Sequence, residues 1–173
     1  MSRRAVLESF EAEFWRSRRY VESAVEQVSD DQLHVAINPL QNSIAVIMQH
    51  MAGNMLSRFT DFLTSDGEKP TRDRDGEFVE RNLDRRELMA LWARGWECMF
   101  GAIGPLTDED LSRVVTIRGE PHTVSAALAR QVAHYAWHAG QIALLAKHLK
   151  GEGWRYLTIP PGGSAEFDRR TGV

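Results

Sequence analysis

The stretch Ser125-Ala-Ala-Leu-Ala-Arg-Gln131-Val-Ala-His134-Tyr-Ala-Trp-His138-Ala-Gly-Gln141-Ile-Ala-Leu-Leu-Ala-Lys-His148-Leu149 reads as one uninterrupted helix, with Gly151 as its stop signal. Its centre decides both fold and chemistry. His134 and His138 are four residues apart, so a helix stacks them on one face, ~6 Å apart along the axis. Gln131 and Gln141 share that face. A polar level inside a helical protein is costly unless its groups are paired or ligated. Two explanations stand at this point: the imidazoles bind a metal ion, or they belong to a hydrogen-bonded network. The Glu of an H-E-x-x-H metalloprotease helix is absent between them, which argues against a protease.

Three more helical patterns precede this one. The first runs from Ser2, a candidate N-cap, to Gln27, with Phe10, Phe14, Val21 and Val25 at helical spacing. Ser29-Asp30-Asp31 interrupts it. Asn38-Pro39 and Asn42-Ser43 signal the start of a second helix, predicted to run to about Leu63 on a stripe of Ile44, Ile47, Met48, Met51, Met55 and Phe59. Ser65 to Gly76 reads as a polar loop. Asp84-Arg-Arg-Glu87 has the form of a capping box and opens a third helix, ended by Gly101 to Pro105. Val114 to Ile117 and a return at His122-Thr123-Val124, broken by Arg118-Gly119-Glu120-Pro121, suggest a short β-hairpin before the last helix. From Trp154 onward Pro160-Pro161-Gly162-Gly163 argues for an extended tail packing through Trp154, Tyr156, Leu157 and Ile159. Four helices of about 20 residues in a 173-residue chain predict an all-α, four-helix bundle as one domain over residues 1–173.

Composition is that of an ordinary globular protein. Hydrophobic residues make up 43%, charged residues 26%, and the formal net charge is −3, which argues against a general nucleic-acid binder. The arginine groups at Arg3-Arg4, Arg16 to Arg19 and Arg81 to Arg86 are interleaved with acids and read as solvated helix faces. No apolar run reaches the ~20 residues of a membrane span. The opening Met-Ser-Arg-Arg-Ala lacks a signal-peptide core, and Cys98 is the single cysteine. Together these predict a cytoplasmic location. Cys98, among Trp96, Met99 and Phe100, reads as a small apolar residue with no part in chemistry.

The second helix adds His50, with Asn54 and Arg58 continuing its face. His50 is either a third metal ligand, reached from a separate helix, or a satisfied core histidine. Three neutral imidazoles and one open position make a catalytic zinc arrangement. His34 and His122 fall in connecting segments, and His148 sits in the last turn of its helix, where a cation suits the helix dipole.

Taken together, Ser43-Ile-Ala-Val-Ile-Met-Gln-His50-Met-Ala-Gly-Asn54 and the later His134-x-x-x-His138-x-x-Gln141-Ile142 resemble the DinB/YfiT-like superfamily. Thr71-Arg-Asp-Arg-Asp-Gly-Glu-Phe78 and the run from Trp154 to Ser164 look like an uncharacterised branch of it, and the resemblance covers nearly the whole chain. It implies a four-helix bundle, commonly a homodimer, with a divalent metal on His50, His134 and His138. It also implies chemistry on a small-molecule substrate. Relatives include S-transferases and isomerases that use low-molecular-weight thiols, and metal-dependent hydrolases. Zinc is the first expectation for the metal, with nickel or another transition metal second. Asn54, Arg58 and Gln141 are the polar candidates for contacting substrate or ligands, Arg58 as a carboxylate holder. The alternative is a non-catalytic metal-binding or structural bundle. Fold and ligand set do not by themselves fix a reaction.

Overall fold

The computed structural model describes residues 3–171. In chain order its elements are α1 (Ala5–Val25), α2 (Asp30–Leu33), α3 (Ile44–Phe59), α4 (Arg85–Ile103), the strands β1 (Val114–Ile117) and β2 (Glu120–Thr123), α5 (Val124–Lys150) and α6 (Ser164–Thr171). The four long helices form an all-α bundle. α1 packs along α5, α3 packs along α4, and α3 also meets α5. Trp96 lies at the centre, fully buried, with its ring 6.5 Å from Phe14, 5.4 Å from Trp92 and 5.7 Å from Tyr135. Edge-to-face and tilted pairs of this kind add to the burial of large rings. Gly95 allows α3 and α4 to approach: a Cβ there would stand 3.0 Å from Ala52 Cα, so the α3 backbone would have to give way by a few tenths of an ångström.

Local signals set most boundaries. The Asp84 carboxylate accepts from Glu87 N (2.7 Å) and Glu87 accepts from Asp84 N (3.0 Å), so the capping box that opens α4 is complete. Ser43 caps α3 through Val46 N at 3.1 Å. α5 starts on a Thr123 cap and ends at Gly151, whose φ of 62° suits glycine. His148 lies in its last turn, and Cys98 packs against the edge of the core. The hairpin precedes α5 as expected, but its return strand is Glu120–Thr123 and Val124 already begins the helix. Arg118 and Gly119 both have positive φ (56° and 78°), the geometry of a two-residue type I′ turn, which matches the strand twist.

Four expectations need correction. α3 ends at Phe59, not near Leu63: Thr60 leaves the helix with ψ 125°, and Asp61 adopts φ 49°. Phe62 and Leu63 still pack on the core from the following turn, which is why the apolar pattern outran the helix. α1 begins at Ala5 and ends at Val25, Ser2 lies outside the described residues, and no side chain of the N-cap residue Arg4 bonds the helix start. Instead the Asp108 carboxylate accepts from Val6 N (3.0 Å) and Leu7 N (3.1 Å), a cap from a distant segment. Ser29-Asp30-Asp31 is no mere interruption, because Ser29 and Gln32 form their own capping box and start α2. The tail is irregular only to Gly163 and then forms α6. Within it Trp154 and Leu157 pack on the core, whereas Tyr156 and Ile159 are exposed, Tyr156 beneath the Lys147 ammonium. Among the described residues no helix is long and apolar enough to cross a membrane.

Candidate metal centre

Where α3 faces α5, three histidines meet. His50 Nε2 lies 3.3 Å from His134 Nε2, and His138 Nε2 lies 3.1 Å from the same atom. All three residues offer ligand atoms within 4.8 Å of one another. Two nitrogens bound tetrahedrally to zinc at ~2.0–2.1 Å stand roughly 3.3–3.4 Å apart, so the observed spacing fits a shared ion. His50 is buried; His134 and His138 are half-buried.

The opposite ring nitrogens settle which atoms face inward. His50 Nδ1 lies 2.9 Å from Glu77 Oε2. Burial alone would raise the Glu77 carboxyl, but the bonds from His50 and Arg72 and the Arg72 charge outweigh it and hold the group below the usual carboxylate range. An ionised carboxylate only accepts, so His50 Nδ1 donates and Nε2 is turned to the centre. His138 Nδ1 donates likewise to Gln141 Oε1 at 2.7 Å. Burial, reinforced by the neighbouring imidazoles, pushes His134 down to about 3, and burial also lowers His138. Both favour the neutral form that coordinates a metal. One proton on His134 Nε2 can satisfy one neighbour but not both, so without a cation a lone pair faces a lone pair. The donor set fits a divalent metal.

The family described as "Protein of unknown function (DUF1572)" matches residues 2–163. The chain belongs to this family. No curated protein matches it. All three histidines of this DUF1572 chain, with Glu77 and Gln141, fall inside the matched region.

The residues around the histidines divide differently from the sequence expectation. Gln141 Oε1 accepts from His138 Nδ1. Asn54 is buried, and its Oδ1 accepts from Tyr135 Oη at 3.0 Å; burial raises that phenol, keeping it a donor. Arg58 is buried too, bound to the Gly67 carbonyl and to Glu68 Oε2 at 2.9 Å, so its Nη1 is already committed within the protein. Glu77 and Arg72 had no assigned role. Arg72 binds Glu77 through two parallel contacts of 2.7 Å and reaches Glu68 at 3.1 Å. The Arg72 and Glu77 side chains are 5% and 10% exposed, so this is a buried bidentate pair. Phe78 stacks on the His50 ring with centroids 4.5 Å apart. Gly53, one turn beyond His50, leaves room for the carboxylate: a Cβ there would lie 2.3 Å from Glu77 Oε1. Thus the segment 71–78, quoted for its resemblance alone, delivers Arg72, Glu77 and Phe78 to His50. The sole local hint was a charged loop followed by an aromatic.

A cavity of about 200 Å³ opens against His50, Asn54 and His134, continuing past Gln131 to a group of arginines. Cys98 does not line it and instead contacts Thr60 Oγ1 at 3.6 Å.

Proposed function

We propose that this chain is a DinB/YfiT-like bundle, one domain over residues 1–173, that binds one divalent metal through His50, His134 and His138 and catalyses a reaction on a small molecule. The observation that carries this reading is the convergence of three Nε2 atoms whose outer ring nitrogens, on His50 and His138, are anchored by Glu77 and Gln141. When bound, the metal supplies a Lewis acid with a coordination position left over for substrate, water or thiol. Glu77 fixes the tautomer and orientation of His50, and Gln141 does so for His138, the role that outer hydrogen-bond partners play at metal sites. Zinc is the proposed metal and nickel the next choice. Among the described residues no fourth His, Cys, Asp or Glu joins the cluster, and a cavity adjoins it. Both favour catalysis over a metal that only ties α3 to α5.

The two reaction classes in view are transfer to a low-molecular-weight thiol and hydrolysis. A homodimer belongs to the same reading, supported by Trp15 at 52% exposure and Trp137 at 72% on the outer faces of α1 and α5. The unpaired Cys98 is in keeping with a cytoplasmic setting. The test is a screen of electrophiles and esters with untagged protein of measured metal content, in the presence of bacillithiol, mycothiol or glutathione and in their absence. Turnover should vanish with chelator and return with zinc. Thiol-dependent turnover assigns the transferase; turnover in plain buffer assigns the hydrolase. A zinc-loaded chain inert across the panel favours the structural role.

A further inference from the structure

The cavity beside the histidines has a wall of polar side chains, five of them arginines: Arg58, Arg72, Arg74, Arg118 and Arg130. In a chain of net charge −3 this is a local excess of positive charge. Three carboxylates answer part of it. Glu68 is shared by Arg58, Arg72 and Arg118, and Glu77 pairs with Arg72. Arg130, exposed on α5 one turn before His134, has neither an acid nor a hydrogen-bond partner among the described residues. Arg74 reaches only the exposed Asp75, at 3.7 Å, and rests over the Phe78 ring. Arg118 is presented by the hairpin turn, where the Asp66 carboxylate accepts from Arg118 N and Gly119 N, both at 2.8 Å.

Two buried atoms in the same wall are also unanswered. Gln131 Oε1 and Arg58 Nε, on residues 3% and 6% exposed, have no hydrogen-bond partner. Native proteins leave very few such atoms unpaired. Both residues also border a separate void of about 10 Å³, at the lower limit for one water. A water there would leave Arg130 without counter-charge.

We infer that the site takes a small anionic substrate, bearing a carboxylate or phosphate group that Arg130, Arg118 and Arg74 hold while its reacting end faces the three histidines. Guanidinium groups match the planar, multi-oxygen geometry of both anions. A room of about 200 Å³ is below the ~300–1,000 Å³ of drug-sized ligand sites, so the substrate is a compact metabolite. Gln131 Oε1, an acceptor, suits an O–H or N–H of the substrate between its anionic end and the histidines. The inference rests on the metal reading above and deepens it by naming the substrate class.

The experiment has two stages on the full-length chain. Zinc is first titrated calorimetrically into wild type and into the Arg118→Gln/Arg130→Gln double variant, in buffer free of phosphate and carboxylate. Inorganic phosphate and acetate are then titrated into the zinc-loaded proteins at constant ionic strength. Both substituted side chains are exposed, so folding and zinc affinity should be unchanged. Wild type should bind one anion per chain, and the double variant should bind it at least about tenfold more weakly, as the loss of charge-assisted hydrogen bonds implies. Tighter phosphate assigns a phosphate ester; tighter acetate assigns a carboxylate. Equal anion affinity in the two proteins, or no anion binding to wild type, overturns the inference while one bound zinc leaves the metal reading intact. No zinc uptake by wild type overturns the metal reading, and the substrate assignment falls with it.

Discussion

His134→Ala is expected to remove high-affinity zinc binding. His134 Nε2 is the shared neighbour of the other two, 3.3 Å from His50 and 3.1 Å from His138, so its loss leaves two ligands on different helices. Loss of a hydrogen-bond partner behind a ligand weakens metal binding ~10–100-fold; loss of a ligand itself should exceed ~100-fold. Stability reports the same event. Zinc at ~100 times its dissociation constant stabilises the wild-type fold by about 2.7 kcal/mol, roughly 5–10 °C in Tm for a domain of this size. The variant should show no such shift, and full zinc content in it under chelator challenge would refute the assignment. The metal-free proteins carry a second signature. Because the His134 pKa is depressed from 6.5 to about 3, the unfolded chain takes up a proton that the folded chain refuses. The stabilising contribution is whole above about pH 6.5 and is lost as pH falls toward 3, at no more than about 1.4 kcal/mol per pH unit for one proton. Urea midpoints of the metal-free wild type should therefore decline over that window more steeply than those of His134→Ala, which lacks this proton uptake.

Arg72→Met should be the most destabilising single change near the site. Its guanidinium is buried and answers Glu77 bidentately and Glu68 at 3.1 Å. Removing one partner of a buried ion pair costs about 3–5 kcal/mol, because the remaining charge stays desolvated; that lowers Tm by roughly 6–20 °C. The cost should depend on pH in a stated direction. In wild type the Glu77 carboxyl is held below its ordinary value, so its stabilising effect is present above about pH 4.5 and fades as the carboxylate protonates. The gap between wild type and variant should accordingly narrow below about pH 4.5. Adding Glu77→Gln should recover part of the loss by removing the stranded charge. Identical melting of wild type and Arg72→Met at neutral pH would show that the ion pair does not support the fold.

What could be read in the chain beforehand was what short-range chemistry writes there. The Asp84–Glu87 box, the Ser43 cap and the Gly151 stop each involve residues within a few positions, and α3, α4 and α5 begin or end where they predict. His134 and His138 were legible because one helical turn fixes their relation; the helix face of His50 left ligand and core histidine both open, and only the family resemblance joined it to the other two. Partners brought in from afar leave no such mark. Glu77 is 27 residues from His50 and lies in a charged loop that composition alone reads as solvated. Asp108 caps α1 from about a hundred residues away. Arg58 was legible as a polar residue beside the site, but not as one bound by Glu68 and Gly67. The over-long α3 has the converse cause: Phe62 and Leu63 are apolar because they pack, and packing does not require the helix to continue.

The chemistry proposed for this site depends on one metal ion shared by α3 and α5. Anomalous diffraction at the zinc edge from crystals grown with one equivalent of zinc tests it most directly. A single dominant peak is expected about 2.0–2.1 Å from the Nε2 atoms of His50, His134 and His138 together. A dominant zinc peak elsewhere, with these three nitrogens bonded only to one another, would contradict it.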